Sequence, residues 1–524
     1  APADQHCTAR TFDMSSEVQV EVFGRPVYRN GILSPEILKE ISDVESLAGL
    51  ARMLRGQYAL IRRAPDCVLA VTDPLGTYPL YYSTTEVSPV ARKVSASGRV
   101  SREAIFSYAA LGKNATSGGM YEDAVRVPPG SVLLMGAGGA ARVKPYFRLA
   151  DLLGLPILRA EDAHDEFLNL AGSYLQAVAG GEPSAASLFS SGIDSALIVM
   201  LLKRCCPNLP LAGWSVDYPR CFSPRYSEYT QAAINAEKLS LPLKKAFCCA
   251  ADFYNALEQL LADHPDIPPC DRAMPIQYIS LKRAGNERPG VYFTGFNADR
   301  PYCGHGHWAD MARRYSRALN PSAASLPAAR IAEMLCYPQP RRVKLMEQVV
   351  LAAGYSLDEY YCWIRDFKER CVEHVREYGN IDFLQLIMIL SEEEIGDLWA
   401  AEHLLLERHY GMNFISPFGD ISIVRLGFSL PLEFHYSDGG TKRFLREVLR
   451  KEAGMTLNKR AFPSPMRFWA MRPQNLRLPH TPEMKKMYSG MWRKNLMAGG
   501  RLYAAAHDAL ALGLWLEKQD RISR

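Results

Sequence analysis

Two short segments place small residues and a single carboxylate where a strand should end. In Ser190-Ser191-Gly192-Ile193-Asp194-Ser195 a serine and glycine turn leads onto Asp194. Ahead of it, Ala185-Ala186-Ser187-Leu188-Phe189 is apolar enough for a buried parallel strand. Behind it, Ala196 to Lys203 reads as the start of a helix. Strand, small-residue turn and helix together make a nest of backbone N–H groups at a positive helix end, which suits phosphate. The same six residues also read as an ordinary turn with a serine N-cap. The second segment breaks the tie. Gly290-Val291-Tyr292-Phe293-Thr294 has the character of another buried strand and empties into Gly295-Phe296-Asn297-Ala298-Asp299. Two strand ends carrying Asp194 and Asp299 could hold a divalent cation against a pyrophosphate, and Mg²⁺ favours one or two carboxylates plus substrate phosphates.

The elements that must position these loops alternate along the chain. Strand signals before Ser190, at Leu211 to Val216 and before Gly295 are separated by helical stretches. Alternation of this kind predicts a parallel, doubly wound sheet with ligands at the carboxyl ends of its strands. Before it, residues 17–150 read as strand-rich: Val18, Val20 and Val22 alternate, Val68, Ala70 and Thr72 share a strand, and Tyr78 to Tyr82 forms another. One helical stretch, Glu36 to Arg55, lies between them. A polar linker spans Ala150 to Ala163, and beyond 340 the pattern is mostly helical, with apolar residues at helical spacing from Phe383 to Leu405.

The residues carry a resemblance. The Ser190–Ser195 loop resembles the SGG(I/L)DS pyrophosphate loop of the asparagine synthetase superfamily of ATP-pyrophosphatases, and Thr294 to Asp299 resembles its GxGAD segment, most closely the TGYGAD form of β-lactam synthetases. Leu54 to Leu60 and Thr72 to Tyr81 are similar to segments of that superfamily's glutamine-hydrolysing domain. Ile415 to Asp420 resembles its "VPFLD" turn, and Thr441 to Glu447 its "KYILREA" helix. The resemblance implies an α/β fold: an N-terminal strand-rich, degenerate glutaminase-like (Ntn-type) domain over 1–150, and over 151–524 a doubly wound parallel-sheet synthetase domain with a helical C-terminal part.

The resemblance also implies site residues. Ser190, Ser191, Gly192 and Ser195 would hold pyrophosphate, with Gly295 and Asn297 from the second loop, and Asp194 and Asp299 would bind Mg²⁺ beside ATP. Trp214-Ser215-Val216 matches the strand whose backbone faces adenine, and Glu228 an acidic position after it; core strand and exposed helix are the competing readings. The basic residue expected to stabilise charge in the second step falls on Lys459 or Arg460. Ser191 stands where glycine is usual. Arg300 stands where an acid is usual, bringing a positive charge that could grip phosphate or carboxylate. Glu392, Glu393, Glu394 and Glu402 are conceivable general bases, with helix-surface charge as the plainer role for each.

Glutaminase chemistry uses an N-terminal cysteine. Here the first residue is Ala1 and the nearest cysteine is Cys7, while the family's Asn-Gly-Glu-Ile-Tyr-Asn stretch stands as Phe23 to Tyr28. The N-terminal unit is therefore expected to lack that activity. Of the branches that bypass glutaminase, Val20 to Leu33, Leu188 to Ile198 and a helix from Ala505 to Arg524 resemble the lasso peptide cyclases. β-lactam and carbapenam synthetases come next. This implies adenylation of a side-chain carboxylate of a core peptide, closed by the peptide's own N-terminal amine, with a precursor peptide and its processing protease as partners. An ammonia-dependent asparagine-forming enzyme and an inactive scaffold are the remaining alternatives.

Composition bounds the rest. The 524 residues are 48% hydrophobic and 22% charged, as in an ordinary globular enzyme of two or more domains. A net charge of +5 does not imply nucleic acid, and no apolar run approaches the roughly 20 residues that span a bilayer. The start, Ala-Pro-Ala-Asp-Gln-His, carries no secretory signal pattern. Twelve cysteines in apolar or helical contexts fit reduced thiols and a cytoplasmic location better than a disulfide framework. Cys303-Gly-His305-Gly-His307 reads as a shaped loop ahead of a zinc site. Arg313-Arg314, Arg341-Arg342 with Lys344, and Lys485-Lys486 read as solvated basic faces.

Overall fold

The computed structural model describes residues 9–219, 227–263, 266–270, 273–285, 287, 289–393, 412–437, 440–457, 482, 486, 488–491, 493 and 503–522. Its N-terminal part builds a six-stranded sheet of Arg10–Asp13, Gln19–Gly24, Tyr58–Arg63, Cys67–Thr72, Ser131–Gly136 and Ala141–Pro145, in that spatial order. Every neighbouring pair is antiparallel. Alternate side chains point to opposite faces, so the sheet feeds two cores. Val20, Val22, Leu60, Leu69 and Val71 pack with Leu47, Ala48 and Ala51 of the Val44–Met53 helix. Phe23, Ala59, Ile61 and Ala70 face Tyr78 and Leu80 on the other side.

Three expectations here need correction. The helical stretch from Glu36 to Arg55 is two helices, Pro35–Leu38 and Val44–Met53. Asp43 accepts a hydrogen bond from the Ser46 N–H at 2.8 Å while the Ser46 hydroxyl accepts from the Asp43 N–H, and this capping box restarts the helix. The strand expected over Tyr78 to Tyr82 is limited to Tyr81–Tyr82. The polar linker is shorter than read, since the Ala160–Ala179 helix begins inside it.

The second sheet has five strands, ordered Leu243–Phe247, Leu211–Asp217, Ala185–Leu188, Val291–Phe293 and Asn413–Ile415, and all are parallel. The first three in chain order step outward one way. The chain then returns to lay Val291–Phe293 on the opposite side of Ala185–Leu188. That reversal is a topological switch point, where diverging connections open a crevice at the carboxyl ends. Val291, Tyr292 and Phe293 are wholly buried, as strands covered on both faces must be. The Ile193–Cys205 helix is nearly as dry, with Ile193 and Ser195 through Leu202 buried.

Further along, the Gly306–Tyr315, Leu357–Glu377 and Phe383–Glu393 helices share an apolar cluster with Phe428 and Tyr436. The apolar pattern read on to Leu405 passes beyond Glu393 into residues outside those described. The C-terminal helix runs Tyr503–Ile522. Arg342, read as part of a solvated basic face, is instead a tie. It donates to the Ala109 and Tyr108 carbonyls at 2.9 and 2.7 Å and pairs with Asp508. Among the described residues no helix is long and apolar enough to cross a membrane, and the described cysteines are free thiols.

Candidate active site

The first loop leaves the Ala185–Leu188 strand and is knitted by its own serines. The Ser190 hydroxyl accepts the Gly192 N–H at 3.0 Å, and the Ser195 hydroxyl accepts the Ser190 N–H at 3.2 Å. Ser191 is buried, with its carbonyl accepting from Asn235 Nδ2 at 3.3 Å. Gly192 is the N-cap of the Ile193–Cys205 helix and Asp194 stands in its first turn, where the helix dipole favours an anion. Asp194 keeps 23% of its side chain exposed between buried neighbours.

The second loop leaves the Val291–Phe293 strand and lies directly against the first. A Cβ on Gly295 would stand 2.6 Å from Asp194 Cβ, so this approach requires glycine. Asn297 takes a left-handed backbone, with φ of 71°, and donates from Nδ2 to the Phe418 carbonyl at 2.8 Å and to Glu392 Oε2 at 3.3 Å. A non-glycine residue holds that conformation only when its surroundings over-determine it. The chain then turns through Asp299, whose carbonyl accepts the Gly304 N–H at 2.7 Å.

A third element completes the cluster. Lys442 precedes the Arg443–Ala453 helix, also in the left-handed region with φ of 57° and ψ of 42°. Its side chain is 1% exposed, and its ammonium sits 2.6 Å from both Asp194 oxygens and 2.8 Å from Asp299 Oδ1. Burial alone would depress this ammonium, but the two carboxylates outweigh it and hold its pKa above the ordinary lysine value. Arg446, a turn further on, is depressed by burial and partly restored by Asp194.

Asp194, Ser190, Gly192, Ser195, Gly295, Asn297 and Asp299 are thus gathered at the switch point. Lys459 and Arg460 lie outside the described residues, as do Glu394 and Glu402. The lysine that meets both aspartates is Lys442, which the sequence reading quoted but gave no role. The available signal was its place, directly ahead of a helix whose Phe444, Leu445, Val448 and Leu449 face the core and carry its head to the sheet.

One further expectation is corrected, that of Glu392 as helix-surface charge. Arg300 is buried, its Nε donating to the Ser391 carbonyl at 2.8 Å, and its charge acts on the Glu392 carboxylate. Glu392 is not on a helix surface but 1% exposed, and burial pushes its carboxyl up to about 8 against the pull of Arg300 and Asn297. Glu393 pairs with His374 Nε2 at 2.7 Å. Trp214, Ser215 and Val216 lie buried in the strand beside Ala185–Leu188, and the Trp214 carbonyl accepts the Phe189 N–H at 2.8 Å. Glu228 is the N-cap residue of the Tyr229–Lys238 helix and acts electrostatically on Tyr218. His305 and His307 are ring neighbours of Trp308, at 4.5 and 5.1 Å between centroids.

The pair of aspartates fits a divalent cation, because a cationic group already stands in contact with both. Among the described residues no three His, Cys, Asp or Glu side chains gather to hold a metal by themselves. Substrate oxygens would have to complete the shell, as Mg²⁺ sites allow.

Residues 176–481, more than half of the chain, match the asparagine synthase family. The chain belongs to that family. No curated protein matches. Among solved structures, an allosteric regulatory enzyme of purine biosynthesis is similar at 11% identity over 45% of this chain and 46% of its own, with a TM-score of 0.17. Glutamine phosphoribosylpyrophosphate amidotransferase from B. subtilis matches at 12% identity over 45% and 47%, with a TM-score of 0.17. NAD⁺ synthetase from Burkholderia pseudomallei matches at 14% identity over 49% of this chain and 90% of its own, with a TM-score of 0.21. The matches span under half the length of the first two structures.

Proposed function

We propose that this family member transfers AMP from ATP to a substrate carboxylate and closes the resulting acyl-adenylate with an amine of the same molecule, as a macrolactam cyclase of the lasso peptide type. The observation that carries the nucleotide chemistry is the meeting of Asp194, Asp299 and Lys442 where the two loops touch. The choice among substrates rests on the resemblance of Val20 to Leu33 and Leu188 to Ile198 to the cyclases. In this reading residues 1–150 are a glutaminase-like unit and 151–524 the synthetase unit. The enzyme works in the cytoplasm beside a precursor peptide and its processing protease, with neither nucleic acid nor membrane as a partner.

A free carboxylate is a poor electrophile. Its oxygen attacks the α-phosphorus of ATP, the bond to the β-phosphate oxygen breaks, and pyrophosphate leaves. The loop of Ser190, Gly192 and Ser195 would receive the departing phosphates, and the Lys442 ammonium would neutralise charge that builds on them. Asp194 and Asp299 would hold Mg²⁺, which supplies charge neutralisation for the leaving pyrophosphate. The amine nitrogen then attacks the acyl carbon, the bond to AMP breaks, and the nitrogen loses its proton. A tethered amine reaches that carbon at a large effective concentration.

ATP–pyrophosphate exchange with a radiolabel tests the reading. Exchange should require a carboxylate substrate and disappear in Asp194→Asn. Exchange that survives the substitution removes the metal assignment. Precursor peptides, a carboxyethyl-arginine-like amino acid, and aspartate with ammonia should be offered in parallel. Turnover of the small amino acid alone would favour the β-lactam-type reading, which the closeness of Thr294 to Asp299 to that branch supports. AMP release with aspartate and ammonia alone would exclude the cyclase.

A further inference from the structure

Lys442 does more in this fold than lend a positive charge. Its ammonium contacts Asp194 at 2.6 Å and Asp299 at 2.8 Å, so it occupies the place between the carboxylates that a shared cation would take. The stem is confined as well. A Cβ on Gly304 would stand 2.3 Å from Lys442 Cε and 1.7 Å from Asp299 Oδ1, so lysine, aspartate and glycine are packed together. The left-handed backbone at Lys442 is a further sign that the surroundings fix this residue.

We propose that Lys442 is a specificity-determining residue that makes Asp194 and Asp299 take a divalent cation only together with a polyphosphate, by filling the cation position itself until one binds. The inference rests on the metal–nucleotide reading above and adds an order of binding to it. A bare cation entering between the aspartates would have to sit against a buried ammonium or push it away from both of its counter-ions. Either event separates or opposes charges where water screens them poorly. A polyphosphate changes the balance. Its oxygens give the ammonium new anionic partners close by, and they complete the shell of a metal that two carboxylates alone hold weakly.

The test uses Mn²⁺ as the probe, followed by electron paramagnetic resonance on the full chain with and without a non-hydrolysable ATP analogue. Wild-type protein should bind Mn²⁺ tightly only when the analogue is present. Lys442→Met should bind Mn²⁺ without nucleotide roughly 100-fold or more tightly than wild type, the scale expected for removing a like charge at contact distance. Adding Asp299→Asn should abolish that gain. Tight nucleotide-free binding by wild type that Asp299→Asn removes would overturn the proposal without any Lys442 variant, so the test survives a Lys442→Met protein that does not fold. Nucleotide-dependent binding in wild type with no gain in folded Lys442→Met would overturn the proposal alone. Absence of Mn²⁺ binding in every arm would overturn the metal–nucleotide reading and this inference with it.

Discussion

Arg55 grips Asp420 across the molecule, with Nε 3.0 Å from Oδ2 and Nη2 3.3 Å from Oδ1. The arginine follows the helix that covers the antiparallel sheet. The aspartate, wholly buried, ends the turn after the last parallel strand and caps the Ile421–Phe428 helix through the Ser422 and Ile423 N–H groups. Arg55 also donates to Ser173 Oγ and the Leu170 carbonyl, so one guanidinium ties its own segment to the Ala160–Ala179 helix and to the turn at Asp420. Removing one partner of a buried pair leaves an uncompensated charge and costs about 3–5 kcal/mol. Arg55→Met should lower stability to urea by that order. The double variant Arg55→Met/Asp420→Asn should recover part of it, since asparagine still caps. A double variant as unstable as the sum of its parts would show that the pair is not coupled.

The Glu392 carboxyl gives stability a pH dependence of definite sign. Its pKa in the fold is about 8 against an ordinary 4.5, so between those values the folded chain keeps a proton that the unfolded chain has lost. The folded state binds more protons across that window, and stability therefore falls as pH rises through it. Glu392→Gln removes the titration while leaving an oxygen to accept from Asn297. The stability difference between wild type and Glu392→Gln, followed by urea denaturation from pH 4.5 to 8, should move against wild type as pH rises. A difference independent of pH would mean that Glu392 is ionised throughout.

Both loops at the switch point were legible because short apolar runs emptying into glycine, serine and one aspartate are local patterns. Lys442 was not, because its partner Asp194 is 248 positions away and only the packing of the Arg443–Ala453 helix brings them together. Glu392 opens a run of three glutamates, which looks like a solvated face; its burial depends on Arg300 and Asn297 arriving from the second loop. The break between the Pro35–Leu38 and Val44–Met53 helices was readable in Ser42-Asp43 and Ser46 but was masked by continuous apolar spacing.

Arg342 shows how a basic cluster hides a structural role. Two of its N–H groups satisfy carbonyls near the end of the Arg102–Leu111 helix while a third meets Asp508 of the C-terminal helix. Lysine cannot serve three acceptors in that fixed fork. Arg342→Lys should cost about 2 kcal/mol, the scale of leaving charge-assisted hydrogen bonds unmade, whereas Lys344→Ala, with its lysine side chain 77% exposed, should be nearly neutral. Equal melting temperatures for the two variants would contradict the tie.

Gly304 separates room from backbone freedom at the site itself. It does not adopt a positive φ, so an alanine there is not strained by its backbone. The added Cβ would nonetheless fall 1.7 Å from Asp299 Oδ1 and 2.3 Å from Lys442 Cε. One or both must move, and displacement of a catalytic geometry by about 1 Å can cost 100-fold. Gly304→Ala should keep its fold by circular dichroism and lose ATP–pyrophosphate exchange by about that factor. Gly306→Ala, whose Cβ would meet nothing within 4 Å, should exchange as wild type does. Wild-type exchange by Gly304→Ala would mean that the aspartate and lysine need not stay where they are for the chemistry to proceed.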